Sequence, residues 1–145
     1  MHPKISPRLL EIMNALPLKD GMRILEIGCG PGVMAREMSK KIDRGFVVAI
    51  DRSGKAIQQA VAGSMHEIKS GKLSFRLVAV ENFQLEKNER PFDLAIAVRV
   101  GALDGRHPEI EEQALQRIAR ALRPEGKLYI DGGNPIQEIP LDNYR

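Results

Sequence analysis

The segment from Met22 to Gly32, MRILEIGCGPG, constrains this chain more than any other. Ile24, Leu25 and Ile27 fit a buried strand with Glu26 near its end, and Gly28, Gly30 and Gly32 around Pro31 then break the strand into a tight turn. Glycine admits turn dihedrals and lets another molecule approach the backbone, and proline suits the first turn of a following helix. A second apolar run, Phe46 to Ile50, ends in Asp51. A carboxylate at the tip of a second parallel strand is placed to accept from both hydroxyls of a ribose above the glycine turn. The pair of segments predicts an α/β sheet that holds a nucleoside-containing cofactor.

The details of the turn narrow the ligand. A dinucleotide fingerprint requires glycine at the sixth position counted from Gly28, and Val33 stands there. A P-loop requires Gly-Lys-Ser or Gly-Lys-Thr after the turn, and neither follows. Glu26 would set an anion against a phosphate, whereas an ammonium group would be welcome beside it.

Taken in order, the chain alternates strand and helix. Ser6-Pro7 reads as an N-cap and first-turn proline ahead of the stripe Leu9, Leu10, Ile12, Met13 and Leu16, which stops at Pro17 and is read as packing on the sheet. Met34, Ala35, Met38 and Ile42 mark the helix after the turn. Ser53 caps one long helix with the stripe Ile57, Ala60, Val61, Met65 and Ile68, ended by Gly71. The third strand, Leu73 to Val80, alternates in its first half at Leu73, Phe75 and Leu77, which implies one wetter face or a sheet edge, and a doubly wound sheet with this strand at its edge fits. The continuous run Leu94 to Val98 implies a central strand buried on both faces. Pro108 opens a helix with Ile110, Ala114, Leu115, Ile118 and Leu122 on its buried side; Pro124 stops it, and Lys127 to Asp131 form strand five. Glu109, Glu111 and Glu112 at its start and Arg117, Arg120 and Arg123 at its end complement the helix macrodipole.

Several function classes are excluded by composition. The 145 residues form a single domain, 1–145, with an N-terminal helix within 1–20 and a short tail at 133–145. A net charge of +3, with no basic cluster longer than Lys40-Lys41, does not indicate nucleic acid. Cys29 is the only cysteine, so neither an intrachain disulfide nor a cysteine metal framework is expected, and His2, His66 and His107 lack metal-ligand spacing. Without a signal segment, or an apolar run near the ~20 residues of a membrane span, the expectation is a cytoplasmic protein.

LEIGCGPG and AIDRS, together with FDLAIAVRV at 92–100 and ALRPEGKLYI at 121–130, closely resemble the ordered motifs of class I S-adenosylmethionine-dependent methyltransferases, of the small type 11 or domain 25 kind. The resemblance covers roughly residues 20–132. It implies a doubly wound, Rossmann-like, mostly parallel sheet with helices on both faces, and S-adenosyl-L-methionine as cofactor. Glu26, Gly28, Cys29, Gly30, Asp51 and Arg52 would then bind the cofactor, with Glu81 accepting from the adenine amino group and the Asn82 backbone N–H meeting the ring. The expected activity is methyl transfer to a small molecule.

The loop after strand four faces the ligand side of such a sheet. It supplies Asp104 and His107 as candidate bases and Arg99 as a candidate for holding an anionic substrate, each with a structural alternative as turn residue, helix cap or ion-pair partner. Many relatives continue beyond strand five into a further helix and an antiparallel pair, whereas only Gly132 to Arg145 follow here. The expectation is therefore about five strands and a short tail. The edge of strand five would be covered by that tail or by a second copy in a homodimer. Two other readings stand beside the enzyme: a partner-dependent cofactor-binding module of the same fold, and an NAD-dependent oxidoreductase, the latter disfavoured by Val33.

Overall fold

The computed structural model describes residues 4–145; His2 lies outside them. Six strands form one sheet: β1 (Arg23–Ile27), β2 (Phe46–Asp51), β3 (Leu73–Leu77), β4 (Phe92–Ala97), β5 (Leu122–Asp131) and β6 (Ile136–Ile139), in the order β3-β2-β1-β4-β5-β6. All pairings are parallel except β5 with β6. The order reverses between β1 and β4, which opens a crevice beyond their carboxyl ends and makes that edge the place for a ligand.

Alternating side chains divide the core into two layers. Ile24, Val47, Ala49, Leu94 and Ile96 face α1 (Pro7–Ala15) and α2 (Val33–Lys41). Leu25, Ile27, Val48, Ala95 and Ala97 face α5 (Pro108–Ala121), which contributes Ala114, Leu115 and Ile118. Of the predicted α1 stripe, Ile12, Met13 and Leu16 are buried, Leu9 is half-buried and Leu10 is 39% exposed; the Ser6 side chain caps the helix by accepting from Leu9 N–H. No helix among the described residues is long and apolar enough to cross a membrane.

Four sequence expectations change. The helix capped by Ser53 is two helices, α3 (Gly54–Gly63) and α4 (Met65–Lys69). They part at Ser64, whose hydroxyl is fully buried as the acceptor of Arg36 Nη1 at 2.9 Å, and Met65 is left 49% exposed. β3 ends at Leu77 instead of Val80, because Val80–Asn82 winds into a 3-10 turn, and Leu77 is 59% exposed at the open edge. α5 ends three residues before Pro124, and β5 starts there; Pro124 sits where the β4–β5 register shifts between Phe92 and Leu94. A proline has no N–H for the ladder, so this segment bulges, and Arg123 pairs with Asp93 at 2.6 Å instead of serving the helix end.

The fourth change concerns the tail. Residues 136–139 double back as β6, antiparallel to β5 from Leu128↔Ile139 to Asp131↔Ile136, so there are six strands and the chain itself covers the strand-five edge. The homodimer expected through that edge loses its structural basis. At the opposite end of the sheet, unforeseen from sequence, the Glu89 carboxylate bridges Arg76 and Arg23, whose guanidinium also lies over the Phe92 ring.

Candidate functional site

Two adjoining clefts lie along the carboxyl ends of the strands. The first, about 300 Å³, is lined by Asp51 at the end of β2 and Arg52 just beyond it, by Val80 and Glu81, and by the loop after β4. The second, about 440 Å³, lies between the glycine turn and the start of α1 and includes Glu26, Cys29, Arg8 and Leu9. Gly28 and Arg99 line both.

Every N–H of the glycine turn is already donated within the protein. Gly28 and Cys29 give theirs to Ile50 O at 2.8 and 3.0 Å, Gly30 to Asp51 Oδ2 at 2.9 Å and Gly32 to Cys29 O at 3.0 Å. Pro31 has none. A phosphate nest needs such amides free and converging on the anion, so this turn is not one. Its carbonyl side is held instead by the buried Arg36, which donates to Pro31 O at 3.0 Å.

Glu26 is the outlier of the site. It is 4% exposed, and its Oε1 has no hydrogen-bond partner among the described residues. Burial, and secondarily the Asp51 carboxylate, push its pKa up to about 8 against a pull from Arg36. An orphaned buried carboxyl is costly unless something pairs with it, and a cation entering the second cleft would do so. Asp51 accepts from Gly30 N–H through one oxygen and from Ser53 N–H at 2.9 Å through the other. An ionised carboxylate has about four acceptor sites, so two remain for hydroxyl donors. Cys29 is buried, and that burial raises its thiol pKa, keeping it unreactive.

Gly28 keeps the junction of the clefts open. Its φ is +74°, and a Cβ there would lie 2.8 Å from Val100 Cγ2. Gly28→Ala is expected to lower stability by about 1–3 kcal/mol through left-handed strain and that clash, read as a drop in melting temperature. An unchanged melting temperature would show that Val100 gives way freely.

Of the remaining candidates, Glu81 lines the first cleft, and its carbonyl accepts from Gln113 Nε2 at 2.7 Å. Asn82 is not among the residues lining it, and its backbone N–H, expected to meet the base, donates to Ala79 O at 2.9 Å in the 3-10 turn. Asp104 is outside both clefts, and its carboxyl is held below the ordinary range by the hydrogen bonds from Arg106, which favours its ionised form. His107 lines the first cleft with its side chain 55% exposed, its Nδ1 3.4 Å from Glu109 and its ring lying over Gly101. Arg99 adopts φ +56°, a left-handed conformation costing a non-glycine residue about 1–2 kcal/mol.

An open α/β sheet, an orphaned acid at its glycine turn and a second acid at the end of β2 form a crevice whose chemistry suits a cationic ligand better than a phosphate. A profile described as a methyltransferase domain matches residues 18–142, and the chain belongs to that family. It is 30% identical over 115 residues to a sterol 24-C-methyltransferase of Aspergillus fumigatus, covering 79% of this chain and 29% of that one. To a ubiquinone biosynthesis O-methyltransferase of Xylella fastidiosa it is 28% identical over 131 residues, covering 90% and 49%. Among solved structures, phosphoethanolamine N-methyltransferase 2 of Haemonchus contortus, in complex with S-adenosyl-L-methionine, superposes with a TM-score of 0.68 at 26% identity, covering 85% and 27%. The chain thus spans less than half the length of each of these relatives.

Proposed function

We propose that this chain is an S-adenosylmethionine-dependent methyltransferase domain acting on a small molecule. The observation that carries the reading is the glycine turn itself: all its amides are spent, and an unpartnered buried carboxyl stands beside it. That combination rejects a pyrophosphate and fits a ligand with an ammonium group. Family membership and the relatives' names, which speak of sterol, ubiquinone biosynthesis and phosphoethanolamine, support a small acceptor.

In this reading Glu26 holds the ammonium in the second cleft, Asp51 the ribose hydroxyls, and the Val80–Glu81 segment, with Arg52, frames the base in the first. The cofactor when bound supplies a methyl group on a sulfonium, a leaving group that needs no further activation. The chain's own part is placement. Holding an acceptor within about 3–3.5 Å and in line accounts for most of what such a transfer requires. Gly28 leaves room at the junction, and the loop 99–107 walls it from one side.

Calorimetric titration with S-adenosylmethionine, S-adenosylhomocysteine and NADH tests the assignment. Dissociation constants of roughly micromolar size for the two sulfur compounds, about −8 kcal/mol, with no heat from NADH, are expected. Tighter NADH binding would restore the oxidoreductase reading.

A further inference from the structure

Arg99, the sequence candidate for holding an anionic substrate, has three structural properties that bear on that role. Its backbone is in the left-handed region at φ +56°; the other such non-glycine residues among those described, Arg44 and Asn88, lie in loops at the far, amino-terminal end of the sheet. Its conformation is held from both sides: its N–H donates to Asp131 Oδ1 at 3.0 Å, and its carbonyl accepts from Arg106 Nη2 at 2.6 Å. Its guanidinium makes no hydrogen bond or ion pair among the described residues, while the neighbouring Arg8 and Arg106 are satisfied by Asp131 and Asp104. A strained residue whose surroundings enforce the strain points to function, and glycine would relieve it at once.

Position supplies the rest. Arg99 and Gly28 are the residues shared by both clefts. If the nucleoside lies against Asp51 and the ammonium against Glu26, as proposed above, the sulfonium falls at this junction. Arg99 is exposed, so water screens its charge in the free protein; an anion held between the guanidinium and the sulfonium would be attracted by both. We infer that Arg99 selects the acceptor: the small molecule carries a carboxylate or phosphate group that the guanidinium binds, bidentately where geometry allows. The inference rests on the cofactor reading and adds to it the charge of the substrate.

The experiment uses the wild-type chain saturated with S-adenosylhomocysteine, at constant ionic strength because exposed charges are screened. Sodium phosphate and sodium acetate are titrated separately, and the amide resonances of Arg99 to Gly101 are followed by NMR. Saturable shifts are expected, with the tighter anion naming the acceptor's group. Arg99→Gln should weaken that anion at least fivefold, Arg99→Lys by less, since it keeps the charge without the fork. Arg99→Gly should weaken it like glutamine without lowering the melting temperature, which separates anion binding from folding.

Affinity for S-adenosylhomocysteine should stay within twofold in all three variants. Shifts that are absent in wild type, or equal in Arg99→Gln, overturn the inference. So does a variant that loses S-adenosylhomocysteine but keeps 5′-methylthioadenosine, because Arg99 would then grip the cofactor's own carboxylate. Failure of wild type to bind S-adenosylhomocysteine at all would remove the cofactor reading, and this inference with it, before any anion is added.

Discussion

Replacing Glu26 with glutamine should stabilise the free protein by about 3–5 kcal/mol at pH 8 and leave it almost unchanged at pH 4, since a tenfold change in proton affinity is worth about 1.4 kcal/mol. The sign follows from the raised pKa. Below the ordinary carboxyl value of 4.5, Glu26 is neutral in both folded and unfolded chains, so its ionisation contributes nothing to stability there. Between 4.5 and about 8 the unfolded chain releases the proton while the folded one keeps it, so stability falls as pH rises through that window and levels off above it. Glutamine does not titrate and so avoids the loss. Urea denaturation of both proteins from pH 4 to 9 reads the gap directly. Parallel stability curves would mean that Glu26 titrates normally and is not a sequestered acid.

The same proton links binding to pH. A ligand ammonium that pairs with Glu26 must displace it, so S-adenosylhomocysteine affinity should rise by about ninefold from pH 6 to 7 and about fivefold from pH 7 to 8, with close to one proton released at pH 7. 5′-Methylthioadenosine, which lacks the amino-acid end, should show neither effect, and Glu26→Gln should abolish both. The protein in this view keeps a destabilising acid because the site needs one, as stability is commonly given up at functional positions.

How much of this is readable in the sequence depends on range. The glycine turn, the carboxylate at the end of β2 and the contrast between an alternating β3 and a continuous β4 are legible from residue type and local periodicity, and the strand order puts β3 at the edge and β4 inside. The elements that moved depend on partners distant along the chain. Ser64 breaks a helix because Arg36 reaches it, and nothing in the apolar stripe around Ser64 signals that contact. Residues 136–139 form a strand because β5 offers unpaired groups, although Pro135 and Pro140 flank a run too short to be read as one. The strain at Arg99 depends on Asp131 and Arg106 and has no sequence signature, since arginine is an ordinary loop residue. Counting along a motif puts Asn82 at the base, but a 3-10 turn takes its N–H. Glu26 is legible as an acid, but its orphaned oxygen and the spent amides beside it need coordinates.

Asp51→Ala should weaken S-adenosylhomocysteine by about 10- to 100-fold, the size of one or two lost hydrogen bonds to a charged acceptor. Two effects combine there. The acceptor sites for the ribose hydroxyls go, and so do the anchors that tie Gly30 N–H and Ser53 N–H to one side chain, leaving both ends of the turn free to move. Asp51→Asn should lose nearly as much, because its amide NH2 would have to face one of those N–H groups. Discrimination between 5′-methylthioadenosine and its 2′,3′-dideoxy analogue isolates the hydroxyl contribution: wild type should prefer the diol, and both variants should lose that preference. Unchanged affinity, or a preference that survives in a folded variant, would remove Asp51 from the ribose. The substitution also reaches Glu26. Asp51 is one of the causes holding that carboxyl protonated, so without it Glu26 ionises more readily, and the pH at which ammonium binding saturates should move downward. A lower midpoint in Asp51→Ala, alongside the loss in affinity, would show that the two acids act as one coupled site, the outer accepting hydroxyls while it sets the proton affinity of the inner.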